Sequence, residues 1–136
     1  MNWTLEVVQV PVSDIDRAKE FYAERLGFAV DHDTTGSGDI RVVQLTPPGS
    51  GCSIVLSKGM VEMEPGSLKG VQLVVPDVRR ARAELVERGV EVSEVRYADK
   101  SGFRAATDDD LNNTGFVFFD DPDGNAWAVQ QITSRA

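Results

Sequence analysis

The stretch from Val7 to Val30, "VVQVPVSDIDRAKEFYAERLGFAV", returns at Gly70 to Val92 as "GVQLVVPDVRRARAELVERGVEV", with one residue fewer before the closing glycine. A chain that repeats itself in this way folds as copies of one supersecondary unit. In each copy an apolar, strand-like run leads to an aspartate, Asp14 or Asp77, whose side chain suits a helix N-cap. Behind the first cap, Ile15, Ala18, Phe21, Tyr22 and Leu26 recur at spacings of three and four, and Gly27 closes the helix. Behind the second, Val78, Ala81, Leu85 and Val86 do the same before Gly89. Both helices are polar on the opposite side, which predicts packing on one face of a sheet.

Three strand-like runs follow each helix. In the first copy they are "FAVDHD", "IRVVQLT" and "CSIVLS", and in the second "VEVSEVRY", "GFVFFD" and "NAWAVQQI". Turn-rich "TTGSGD" and "PPGSG" separate the first set. The expected order is therefore βαβββ, twice: module one over about 4–57, a Gly/Pro-containing connector over about 58–69, and module two over about 70–132. The segment from Ala98 to Thr114, "ADKSGFRAATDDDLNNT", interrupts module two without periodicity and reads as a long loop. Loops of that length in small domains are more often functional or mobile than idle.

A chain of 136 residues is about one domain. Twenty-two acidic residues against 14 basic ones give a formal charge of −8, which opposes binding to nucleic acid and favours a cationic ligand. There is no apolar run of membrane-spanning length, and "MNWTLEVVQV" lacks the basic start and cleavage site of a signal peptide. The expected location is cytoplasmic, with no membrane partner. Cys52, the one cysteine, has no disulfide partner within the chain, and no CxxC or Cys/His cluster occurs.

The duplicated pattern, with "DIDRAKEFYAERLGF" in module one and "DDPDGN" before the last strand, resembles the vicinal oxygen chelate superfamily. That superfamily holds glyoxalase I, extradiol dioxygenases, epimerases, and fosfomycin- and bleomycin-resistance proteins. The resemblance spans about Leu5 to Ile132. It implies an α+β fold of two tandem βαβββ modules, curled mixed sheets around a cleft, and a homodimer. Because one scaffold hosts several activities, it fixes the fold and not the chemistry.

In the metalloenzymes of this superfamily, four strands each offer a His, Gln or Glu to a divalent ion. Carried over, those positions fall on Val7, about Val55, Val71 and Ala128. Alkyl side chains cannot ligate Mg²⁺, Mn²⁺, Fe²⁺ or Zn²⁺. A register shift offers Gln9 or Gln72, but brings no carboxylate onto "SIVLS" or "NAWAVQQ". No metal, no other cofactor and no catalytic residue is expected. The "DDPDGN" hinge then serves turn geometry, through Pro, Gly and Asx side chains.

By strand alternation, Gln9 accompanies Val7, Ser53 accompanies Val55, Leu73 accompanies Val71, and Gln130 accompanies Ala128. These residues, with Phe103 from the long loop, are the expected ligand-binding set, while Trp127 points to the core. An apolar floor edged with amides and hydroxyls suits a small organic molecule, aromatic or cationic. The leading expectation is a binding protein of the bleomycin-resistance type that sequesters an antibiotic or metabolite. The alternative is an enzyme of the same superfamily, a lyase, isomerase, epimerase or dioxygenase, either metal-dependent or cofactor-free with Asp, Glu or His32 as base. His32, Cys52 and the Asp108–Asp110 run otherwise read as solvated or structural groups.

Overall fold

Asp14 and Asp77 each cap a helix: their Oδ1 atoms accept from the backbone N–H groups of Arg17 and Arg80, both at 3.1 Å. Each aspartate has extended backbone, so its side chain turns back onto the first helical turn. Helix α1 spans Ile15–Glu20 and runs on as a π-helical turn, Phe21–Arg25. There Leu26 N–H reaches the carbonyl of Phe21 at 3.0 Å. Gly27 adopts φ 78° just past the end of this turn, a conformation that costs a side chain energy. Helix α2 spans Val78–Glu87.

The computed structural model describes residues 1–36, 38 and 40–134. Two compact units emerge: unit 1 is Met1–Leu68 with Asp121–Asn125, and unit 2 is Lys69–Asp120 with the residues from Ala126 onward. The turn of "DDPDGN" thus belongs to unit 1 although the strands on either side of it belong to unit 2. Among the described residues, no helix is long and apolar enough to cross a membrane.

Unit 1 carries a four-stranded sheet in the order β1-β4-β3-β2. Its strands are β1 Val7–Pro11, β2 Ala29–Thr35, β3 Arg41–Thr46 and β4 Ser53–Ser57. Strands β1 and β4 run parallel and the other pairs antiparallel. Register puts Val10, Leu56 and Val43 in one row, and all three are fully buried with Leu45, Ala18 and Tyr22. That row is the core face, covered by α1.

Unit 2 carries five strands in the order β5-β9-β8-β6-β7. They are β5 Val71–Val75, β6 Arg96–Asp99, β7 Gly102–Ala105, β8 Gly115–Asp120 and β9 Ala126–Gln131. Val117, Phe119, Trp127 and Val129 are buried, with Val78 of α2. The rings of Phe119 and Trp127 stack at 6.1 Å. The fold is α+β, with one helix for each sheet.

Module two departs from the expected βαβββ pattern. Val92 makes an isolated bridge to Phe119, and the strand proper starts at Arg96. The first part of the expected loop is instead a hairpin, β6 to β7, turned where Ser101 N–H donates to Asp99 Oδ1 at 2.7 Å. The rest is tied down by Arg104, whose guanidinium grips Asp109 at 2.9 and 3.2 Å.

Candidate functional site

Each sheet has a face turned away from its helix, and strand register decides which side chains occupy it. In unit 1, Val7 pairs with Ser53 and Gln9 with Val55, so these four expected residues share the open face. Val55 pairs with Gln44 of β3, which pairs with His32 of β2. Thr46 joins them: its hydroxyl lies 2.6 Å from Ser53 Oγ and donates to Asp31. Ser53, Val55 and Ser57 are buried. Gln9 Oε1 and Ser57 Oγ are buried with no hydrogen-bond partner among the described residues.

The aspartates beside His32 are engaged elsewhere. Asp33 faces the helix side between Arg41 and Lys19, at 2.9 and 2.6 Å, and Arg41 first and Lys19 second hold its carboxyl well below the usual carboxylate range. Asp31 takes the Thr46 hydroxyl. Neither neighbouring aspartate is thus placed to orient His32 as the carboxylate partner of a general base would be. Cys52 is half-buried, its thiol 3.6 Å from the Ser53 carbonyl.

In unit 2, Ala128 and Gln130 alternate with the buried Trp127 and Val129 and lie on the open face. Strand β5 differs from the sequence expectation. Val71 pairs with Trp127 and Leu73 with Val129, which puts both on the helix side, away from Ala128. Gln72 and Val74 pair with Ala128 and Gln130 and take the open face in their place. Relative to the cap the two strands keep one frame: Gln9 and Gln72 each stand five residues before their aspartate. Placing the site residue directly after Gly70, at Val71, sets it six residues before Asp77 where Val7 is seven before Asp14, and such a one-residue slip exchanges the two faces of a strand.

Antiparallel pairing adds what the sequence reading missed. Phe118 lies opposite Ala128, Phe116 opposite Gln130, and Arg96 opposite Phe116. Phe103 of β7 pairs with Ala98, a side chain small enough for the ring to reach across β6. It stands edge-on to both Phe116 and Phe118, at 5.2 Å from each, while those two rings lie parallel at 6.1 Å. Edge-to-face contact matches the positive ring edge to the negative ring face. Phe103 remains 53% exposed. Gln72 Nε2 donates to Gln130 Oε1 at 2.5 Å, and Gln130 Nε2 donates to the Asn113 carbonyl at 2.8 Å. The alternation in "GFVFFD" was the available signal for Phe116 and Phe118, once β9 fixed which face is open.

Tyr97 and Arg104 pair with each other on the helix side, with the guanidinium 4.3 Å from the ring centre. Within the acidic run, Asp109 serves Arg104, and Asp110 accepts from Asn112 N–H at 3.0 Å. Among the described residues no group of three or more His, Cys, Asp or Glu is placed to hold a metal ion. Val7, Val55 and Ala128 offer no donor atom, and the Gln72 amide is hydrogen bonded to Gln130. These side chains do not fit a divalent cation, which needs oxygen or nitrogen ligands with compensating charge.

The duplicated fold has a sequence counterpart. A family model described as Glyoxalase/Bleomycin resistance protein/Dioxygenase superfamily matches residues 4–129, and the chain belongs to that superfamily. Among solved structures, the chain is similar to TnmS3, an antibiotic binding protein from Streptomyces sp. CB03234. The two share 34% identity over 96% of this chain and 97% of that one, with a TM-score of 0.77. A glyoxalase/bleomycin resistance protein from the same organism shares 34% identity over 94% and 100% of the chains, with a TM-score of 0.74. A superfamily member from Sphaerobacter thermophilus DSM 20745 shares 26% identity over 96% and 98%, with a TM-score of 0.77. Comparison with curated proteins gave no match.

Proposed function

We propose that the protein binds a small organic molecule on the open face of its second sheet and holds it without a metal ion and without transforming it, as in antibiotic or metabolite sequestration. The observation that carries this reading is the cluster of Phe103, Phe116 and Phe118 beside the Gln72–Gln130 amide pair. Aromatic surface supplies stacking area at low entropic cost, and a fixed amide pair supplies orientation without ionising. The donor-poor residues Val7, Val55 and Ala128 support the metal-free part. The likeness to an antibiotic binding protein supports the choice of ligand class. The same reading has the protein act in the cytoplasm as a homodimer.

The test is titration of the protein with a panel of planar, aromatic antibiotics, followed by calorimetry, with recovery of the ligand for mass analysis. Saturable binding that weakens in Phe103→Ala and Gln130→Ala, with ligand recovered intact, is the expected result. Absence of binding across the panel, or recovery of a converted ligand, overturns the reading.

A further inference from the structure

We infer that Arg96 selects the charge of that ligand: the open face of the second sheet takes an aromatic molecule bearing an acidic oxygen group, a carboxylate, phenolate or sulfonate. This rests on the ligand-binding reading above and goes beyond it by naming the chemical class. Arg96 lies opposite Phe116 on one side and Ala105 on the other, and is exposed. Val95 before it is buried, so Arg96 points to the open face by alternation, diagonal to Phe103.

Its guanidinium has no hydrogen bond or ion pair among the described residues, which sets it apart within unit 2. Arg79 donates to the Thr107 carbonyl at 2.8 Å, Arg80 pairs with Glu84 at 3.6 Å, Arg82 with Glu94 at 3.2 Å, and Arg104 with Asp109 at 2.9 Å. In a chain with 22 acidic and 14 basic residues, carboxylates are abundant, yet none reaches this cation. A planar guanidinium on the residue paired with Phe116 is suited to a carboxylate attached to a flat ring, because its parallel N–H groups match the two oxygens while the rings stack.

The net charge of −8 points the other way, toward a cation. Distance decides between the two. At physiological ionic strength the field of an exposed charge fades over about 8 Å, so the group touching the ligand outweighs the summed charge of the surface. Asp120 stands four residues from Phe116 along β8, about 13 Å at the rise of a strand. The acidic end of the ligand therefore lies at the Arg96 end of the face.

The experiment compares naphthalene-2-carboxylate with naphthalene-2-carboxamide, which share shape and differ in charge, by calorimetry on the intact protein at low salt. The carboxylate is expected to bind roughly tenfold tighter, the scale of one charge-assisted pair, with the ratio shrinking in about 0.5 M NaCl, where the Debye length falls to about 4 Å. Arg96→Gln should erase the ratio while leaving carboxamide affinity in place, and Phe103→Ala should weaken both ligands alike. Equal affinities in the wild type, or a carboxylate preference that survives Arg96→Gln, overturns the charge assignment and leaves the ligand face standing. Failure of both probes to bind removes the ligand face, and the assignment with it.

Discussion

Gly66 lies against the carbonyl of Asp123: a Cβ at position 66 would stand 2.9 Å from that carbonyl carbon and closer still to its oxygen. The same glycine has φ 83°, and its N–H donates to the Pro11 carbonyl at 3.3 Å. Nearby, Leu68 N–H donates to Asn125 Oδ1 at 3.1 Å, and Asn125 Nδ2 donates to the Pro11 carbonyl at 2.9 Å. Gly66→Ala therefore combines a left-handed backbone with a clash, and urea denaturation should show a loss of about 2–4 kcal/mol. Gly59→Ala, at φ 74° with nothing near its Cβ, should cost only about 1–2 kcal/mol. Equal losses would mean that the turn yields at little cost.

Tyr22 is fully buried, and its hydroxyl donates to Asp121 Oδ2 at 2.7 Å; Asp121 is 5% exposed. Tyr22→Phe leaves a buried carboxylate short of one donor and should cost about 1.5–3 kcal/mol. Ser13 donates to the same turn, at Asp123 Oδ1, from an exposed position at 2.5 Å. Ser13→Ala should cost about 0.5–1 kcal/mol, because water replaces the lost donor. The reverse ranking in chemical denaturation would remove Asp121 as the anchor of the turn.

Acid should loosen the segment between β7 and β8. The Arg104 side chain, and after it the Thr107 N–H, lower the Asp109 pKa from 3.8 to about 2. A depressed folded-state value gives stability that is present above the unfolded pKa and lost as pH falls toward the folded one. Protection factors of the Ala106–Thr114 amides, taken against the intrinsic exchange rate at each pH, should thus fall between about pH 4 and pH 2. In Asp109→Asn the fall in that window should be absent and protection low throughout. A flat profile in the wild type would show that the ion pair does not order the segment.

Purified protein should carry divalent metal well below one equivalent by elemental analysis, and neither chelator nor added Ni²⁺, Mn²⁺ or Zn²⁺ should shift its melting temperature. Ala128→Glu sets a carboxylate opposite Phe118 and beside Gln72. Stability should fall by about 1–2 kcal/mol, and an acidic aromatic ligand should bind more weakly. A tightly held equivalent of metal in the wild type would restore the metalloenzyme reading.

Sedimentation at micromolar concentration should give about twice the chain mass of 14.8 kDa. Trp3 and Leu5 are 88% and 70% exposed, and large apolar groups left in water commonly mark surfaces that associate. A monomer at all concentrations would count against the homodimer.

The caps, the helix order and the α+β class were legible because Asp14, Asp77, Gly27 and Gly89 act locally, through backbone geometry that sequence alone specifies. The open face of unit 1 was legible for a related reason, since the β1 and β4 patterns alternate in one frame. Strand β5 was misframed although "VQLVV" puts Val71, Leu73 and Val75 in one period-two row. Placing the site residue directly after Gly70 overrode that alternation, although counting from the Asp77 cap would have kept it. The Phe103 contact was illegible in kind: it depends on a hairpin turn at Asp99–Gly102 and on Ala98 being small, and no periodicity records either.

The assignment of Asp121–Asn125 to unit 1 bears on how such a protein can be divided. A single break in the connector before Lys69 yields one fragment short of its turn and one that carries a turn belonging to the other unit. The first would lack the Asn125 amide that donates to Pro11, and the second would carry that amide with Asp121 but without Pro11 and Leu68. An inherited duplication has in this way become indivisible: to lift one half onto another protein, an engineer would have to graft a short foreign loop in place of the missing turn.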